Sequence, residues 1–98
     1  MKAVELLHRR VIYSEVAFAE LVLWQLPMPL AGSSHLYKYR LAYVVRGTCV
    51  LRYDNESGKG DHRHVGHRQF AYVFDGIDAL LAAFQGDIER INRENRDA

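Results

Sequence analysis

LYKYRLAYVVRGTCVLRYDN, Leu36 to Asn55, is the run on which the fold turns. Its first half alternates: Tyr37, Tyr39, Leu41, Tyr43 and Val45 fall on one side of an extended strand, and Lys38 and Arg40 on the other, with Ala42 beyond them. ArgGlyThr (46–48) then turns the chain back into CysValLeuArgTyrAspAsn. A three-residue loop would set Val45 opposite Cys49, Tyr43 opposite Leu51 and Leu41 opposite Tyr53, a wholly apolar face. On the other face Arg40 would meet Asp54 and Lys38 would meet Glu56. A two-residue loop would mix charges into the apolar face, which burial penalises. The reading therefore predicts a hairpin with one buried face and one charged, open face.

Outward from this hairpin the pattern is mostly strand. RRVIYSEVAFAELVLWQL, rich in Val, Ile and aromatic residues, predicts two strands or one long bent strand near residues 9–14 and 16–26. PMPLAGSSH is a loop by its Pro, Gly and Ser content. DHRHVGHRQFAYVF reads as one further strand. In DGIDALLAAFQGDIERINREN, Ile77, Leu80, Leu81, Phe84, Ile88 and Ile91 form one apolar helical stripe. Asp75 is placed to cap that helix and Asp78 to complement its positive end. Gly86 is read as the mark of a close helix–sheet approach, and the tail from about residue 92 is expected to fray. The expected architecture is α+β: an antiparallel sheet of four or five strands covered on one face by a C-terminal helix, all in one domain.

Composition narrows the class further. Ninety-eight residues can bury one modest core. No apolar run reaches the roughly 20 residues that cross a bilayer. The start, MKAVELLHRR, lacks the apolar block and cleavage site of a signal peptide. A cytoplasmic protein with no membrane association is expected. Cys49 stands alone, which excludes an internal disulfide and an all-cysteine metal site. The formal net charge is only +1, yet His35–Arg68 holds seven Lys/Arg against three acids, and the remainder holds six against nine. Four of the five His lie in the same basic third, which points to a local anionic partner.

The densest chemistry is YDNESGKGDHRH, Tyr53 to His64. In an extended run, His62 and His64 share one face and Arg63 takes the other. The Gly-flanked SerGlyLysGly loop lifts Lys59 and offers backbone N–H groups to an anion. It is not the phosphate loop of nucleotide hydrolases, since GKG lacks a following Ser/Thr and no helix follows. Two imidazoles can serve as general base and general acid, a carboxylate can orient one of them, and Lys and Arg can hold a phosphate. Those are the parts of a metal-independent ribonuclease. Catalytic roles fall to His62, His64 and Asp54, and substrate-binding roles to Lys38, Arg40, Lys59, Arg63 and Asn55. Solvated strand residues, or metal ligation by the His pair with Asp54 or Asp61, are the competing readings of the same pattern. No metal or cofactor is assigned. Trp24 and the Tyr37/Tyr39/Tyr43 row are read as packing, and His8, His35 and His67 as incidental.

The run HLYKYRLAYVVRGTCVLRYDNESGKGDHRHVG resembles the TumE family of bacterial toxin–antitoxin systems, and the likeness extends over roughly residues 9–90. The resemblance marks Lys38, Arg40, Tyr53, Asp54, Asn55, Gly58, Lys59, Gly60, Asp61, His62, Arg63 and His64. Two departures stand outside the motif: Arg46 replaces a turn-former before Gly47, and HRQFAYVF lacks a Glu-Pro step. The resemblance implies a toxin that slows growth until a partner antitoxin, usually a helix-turn-helix protein, neutralises it. RNA is the implied target, cleaved by an endoribonuclease or held by a non-catalytic RNA- or ribosome-binding toxin. A homo-oligomer and a toxin–antitoxin hetero-oligomer are both compatible with it.

Overall fold

A computed structural model describes residues 2–97. Six strands precede one helix: β1 (Val4–Ser14), β2 (Ala17–Gln25), β3 (Tyr37–Val45), β4 (Thr48–Glu56), β5 (Gly60–Val65), β6 (Arg68–Ala71) and α1 (Ile77–Asp97). The strands form one antiparallel meander in chain order. The class is the expected α+β, with six strands rather than four or five. Of the two forms expected for residues 9–26 the chain takes the two strands, and a turn at Gly66–His67 adds the sixth. Glu15–Val16 makes a hairpin of the first apolar run, with Val16 N donating to Ser14 Oγ at 3.2 Å. Gly66, at φ 58°, lets DHRHVGHRQF fold back after Val65, so one expected strand is two.

The β3–β4 hairpin corrects its own turn. Leu41 pairs with Tyr53 and Tyr43 with Leu51, as the apolar face demands, and Arg40 pairs with Asp54. Val45, however, pairs with Thr48 and Val44 with Cys49, so the loop is Arg46–Gly47 alone. Both residues are left-handed, at φ 51° and 78°. The register shift between Tyr43 and Val44 lodges the extra residue in β4 as a bulge. A two-residue turn and a clean apolar face therefore coexist. Lys38 does not reach the ladder position opposite Glu56, because regular pairing ends at Arg40–Asp54. Beyond it the Asn55 amide takes over. Its Oδ1 accepts from Tyr39 N at 3.0 Å and its Nδ2 donates to Tyr37 O at 2.7 Å.

Helix α1 lies over the middle of one sheet face. Leu80, Phe84 and Ile88, four residues apart, bury against Ala19, Leu23, Tyr39, Leu41, Tyr43, Leu51 and Tyr53. The helix begins at Ile77, with the carbonyl of the preceding Gly76 accepting from Leu80 N, and the Asp75 side chain makes no hydrogen bond among the described residues. A Cβ on Gly86 would meet nothing within 4 Å, so this glycine marks no close approach to the sheet. The helix continues past Asn92 to Asp97. Asn92 Oδ1 accepts from Tyr43 OH at 2.6 Å, tying the late turns to β3.

Polar clasps join helix and loops to the sheet. Asp87, only 8% exposed, accepts from Tyr53 OH at 2.6 Å, from Arg63 Nε at 2.8 Å and from an Arg90 nitrogen at 2.9 Å. The three donors hold its pKa below the usual carboxylate range, although burial alone would raise it. The second clasp holds the 26–36 loop. His35 Nε2 lies 2.8 Å from Asp61 Oδ2, which also accepts from Tyr39 OH at 2.6 Å, while His35 Nδ1 accepts from Tyr37 N. Burial, and then the Asp61 carboxylate, push the Tyr39 hydroxyl far above its ordinary pKa. Phe74 stacks on the His35 ring at 4.0 Å.

Candidate functional site on the open sheet face

Alternation along the strands puts the other set of side chains on a face that no element among the described residues covers. Registers carry two rows across it. One runs His8, Val22, Arg40, Asp54, His62, Ala71; its neighbour runs Arg10, Glu20, Ala42, Arg52, His64, Gln69. Asp54, His62 and His64 therefore meet on β4 and β5, as the spacing predicted, with Arg40 beside them on β3.

Three of these groups touch: Asp54, His64 and Arg52. His64 Nε2 lies 3.4 Å from Asp54 Oδ1 and 3.3 Å from an Arg52 terminal nitrogen. A ring nitrogen cannot donate to a carboxylate and accept from a guanidinium at once, so the two contacts belong to two tautomers. The hydrogen bond is the one from Arg52, which can only donate, so Nε2 is the acceptor and the proton of the neutral ring sits on Nδ1; Asp54 Oδ1 stands by as an ion contact. Arg52 Nε approaches Asp54 Oδ2 to 2.9 Å, but at an angle that makes an ion contact and no hydrogen bond. The His62 and His64 rings stand 6.3 Å apart between centroids. His62 makes no side-chain hydrogen bond among the described residues. Asp54 and His64 are 14% and 24% exposed, enough cover to strengthen their interaction while leaving access from solvent.

Other residues marked by the sequence go elsewhere. Arg63 lies on the helix face and is spent on Asp87, which raises its pKa. Asn55 is 2% exposed and serves the β3 backbone. Lys59 sits exposed on the β4–β5 turn, paired with Glu56 at 3.2 Å. In that turn the Gly58 and Lys59 N–H groups already donate to Ala31 O and Glu56 O. Lys38 is exposed on the open face, its Nζ 3.4 Å from Asn55 O. Asp61 faces the helix side with His35, so it stands away from the His62–His64 pair. Among the described residues no three His, Cys, Asp or Glu side chains group to hold a metal ion.

Two residues carry more than the sequence reading assigned them. Arg52 touches both Asp54 and His64; its place on the open face was legible, its contacts were not. His35, read as incidental, is a half-buried partner of a carboxylate 26 positions away, and no local spacing announces it. Trp24 is half-buried on the open face opposite Lys38, and Arg10 stacks 4.2 Å over Phe18 there. A groove of about 840 Å³ lies apart from the histidines, between the two hairpin tips and the end of α1.

Fold and face together define a small α+β protein with one bare sheet surface rich in His and Arg. The chain belongs to the family described as Toxin TumE, whose model matches residues 4–92. No curated protein and no solved structure matches it. No helix among the described residues is long and apolar enough to cross a membrane.

Proposed function

We propose that the chain is the single-domain toxin component of a bacterial toxin–antitoxin system and that its bare sheet face cleaves RNA in the cytoplasm without a metal ion. The reading is carried by the Asp54–His64 contact standing beside His62 on an uncovered face. Asp54 stabilises the charged form of His64, and His64 Nε2, released by Arg52 as substrate enters, takes the proton of the substrate's 2′-hydroxyl. The 2′-oxygen attacks the adjacent phosphorus, and His62 returns a proton to the departing 5′-oxygen. The products are a 2′,3′-cyclic phosphate and a 5′-hydroxyl end. Arg52 offsets the charge that builds on the phosphoryl oxygens, while Arg40 and Lys38 hold the flanking backbone. Lys59 adds charge at the rim. Arg63 and Asn55 support the scaffold that carries these groups. Growth slows until an antitoxin binds.

The test maps RNA 5′ ends after brief induction in cells lacking the antitoxin, for the native chain, His64→Ala and His64→Arg. New discrete ends are expected with the native chain alone. Growth arrest that survives His64→Arg, or arrest with no new ends, would sink the catalytic reading and leave binding to RNA or the ribosome as the toxic act.

A further inference from the structure

The sheet has two free edges, and they are unequal. β6 offers four residues, whereas β1 offers eleven, Val4 to Ser14, with no proline and no covering element. An uncovered edge presents a row of unpaired N–H and C=O groups to which an extended segment can add as a further strand. Val4, Leu6 and Ile12 on this edge are 56%, 44% and 67% exposed, apolar surface left open to solvent along the strand.

A groove adjoins the same edge. Because α1 is centred over β2–β4, it leaves a gap of about 400 Å³ between itself and β1. Leu7, Val11, Leu21, Leu81 and Phe84 line the gap, and Arg9 sits at its lip. A strand added outside β1 would send alternate side chains toward this gap, so its inward positions would be apolar.

Charge selects the kind of partner. β1 carries His8, Arg9 and Arg10 against Glu5; Glu5 pairs with His8 and Glu20 of β2 with Arg10, which leaves Arg9 as the cation without a partner among the described residues. A second copy pairing antiparallel about Arg9 would set Arg9 against Arg9 and His8 against Arg10. Centring on Arg10 would set Arg10 against itself. Like charges directly opposite are destabilising, so these two registers disfavour a second copy, while the unpaired Arg9 favours a strand that brings a carboxylate.

We infer that the β1 edge is the docking site of the antitoxin, which adds an extended segment with apolar residues toward the α1–β1 groove and a carboxylate opposite Arg9. The inference rests on the toxin reading above and names where the partner binds: at the far edge of the sheet from His62 and His64, four strands away from β5. Arg9 suits the test because it is exposed and makes no hydrogen bond or ion pair among the described residues.

Growth arrest and rescue are scored for the native chain and Arg9→Glu, each with and without the co-expressed antitoxin. Affinity is titrated with the purified proteins, and amide exchange is followed in the native complex. Arg9→Glu is expected to arrest growth as the native chain does, to escape rescue, and to bind the antitoxin about tenfold or more weakly. Exchange should slow along Val4–Ser14. Slowing confined to Gly60–Ala71, or unchanged affinity with Arg9→Glu, overturns the inference. So does a complex in which two copies of this chain join through β1. If the native chain neither arrests growth nor binds the antitoxin, the toxin reading fails and takes the inference with it. Should Arg9→Glu misfold, the exchange pattern of the native complex decides alone.

Discussion

Asp87→Asn removes one negative charge from the clasp that fastens α1 to the sheet and keeps the side chain's shape. The native carboxylate accepts from Tyr53, Arg63 and Arg90, and its side chain is 11% exposed. Breaking a buried ion pair costs about 3–5 kcal/mol. Arg63 and Arg90 are 24% and 45% exposed, so water screens part of the loss and the lower end applies. About 3 kcal/mol is a large share of the roughly 5–15 kcal/mol that stabilises a domain of this size. It corresponds to a melting point lower by about 12–24 °C. The dependence on pH separates charge from shape. The folded-state pKa of Asp87 is depressed, so its contribution is complete above the unfolded value near 3.9 and fades as pH falls through the folded value. Urea melts of both proteins at pH 7 and at pH 2.5 should therefore show a gap that is wide at pH 7 and narrowed in acid. A gap under about 1 kcal/mol at pH 7, or one unchanged in acid, would refute this account of the clasp.

Gly86→Ala should raise stability by about 1 kcal/mol, since the new methyl meets open space and mid-helix glycine is entropically costly. Thermal melts check it, and a loss of stability would mean the helix face is tighter than the geometry allows. Arg46→Asn should stabilise by about 1 kcal/mol, because Arg46 occupies the left-handed conformation at φ 51° that Asn tolerates better. Chemical denaturation reads this, and no gain would mean the arginine side chain offsets its own strain.

Alternation in two runs was enough to find the open face and to bring Asp54, His62 and His64 onto it. A strand period of two leaves no freedom once one face is apolar, and Tyr39, Leu41, Tyr43, Leu51 and Tyr53 made that face unmistakable. The same logic failed at the hairpin tip. Parity requires one extra residue somewhere, and the sequence does not say whether a loop or a bulge absorbs it. A three-residue loop is the simpler solution by pattern; the molecule uses a bulge near Val50 and a two-residue turn. Pattern misses the residue 66–67 turn for a related reason, since HVGHRQF is acceptable as strand when only local alternation is weighed.

Arg63 and Asn55 show where pattern runs out. Both stand within the densest chemical run, and both face inward, where the nearest polar groups come from Asp87 and from the β3 backbone. A motif groups residues by sequence distance, but a strand sends neighbours to opposite sides of the sheet.

What the sequence determined unaided is therefore the periodic part: strands, the helix stripe, and which side chains share a face, all set by local geometry and the cost of burying charge. Only the tertiary structure decided the pairings between distant groups. Asp87 with Arg63, Asp61 with His35 and the gap between α1 and β1 depend on where the helix and loops come to rest. That placement is settled by packing of the whole core, which no short stretch of the chain encodes.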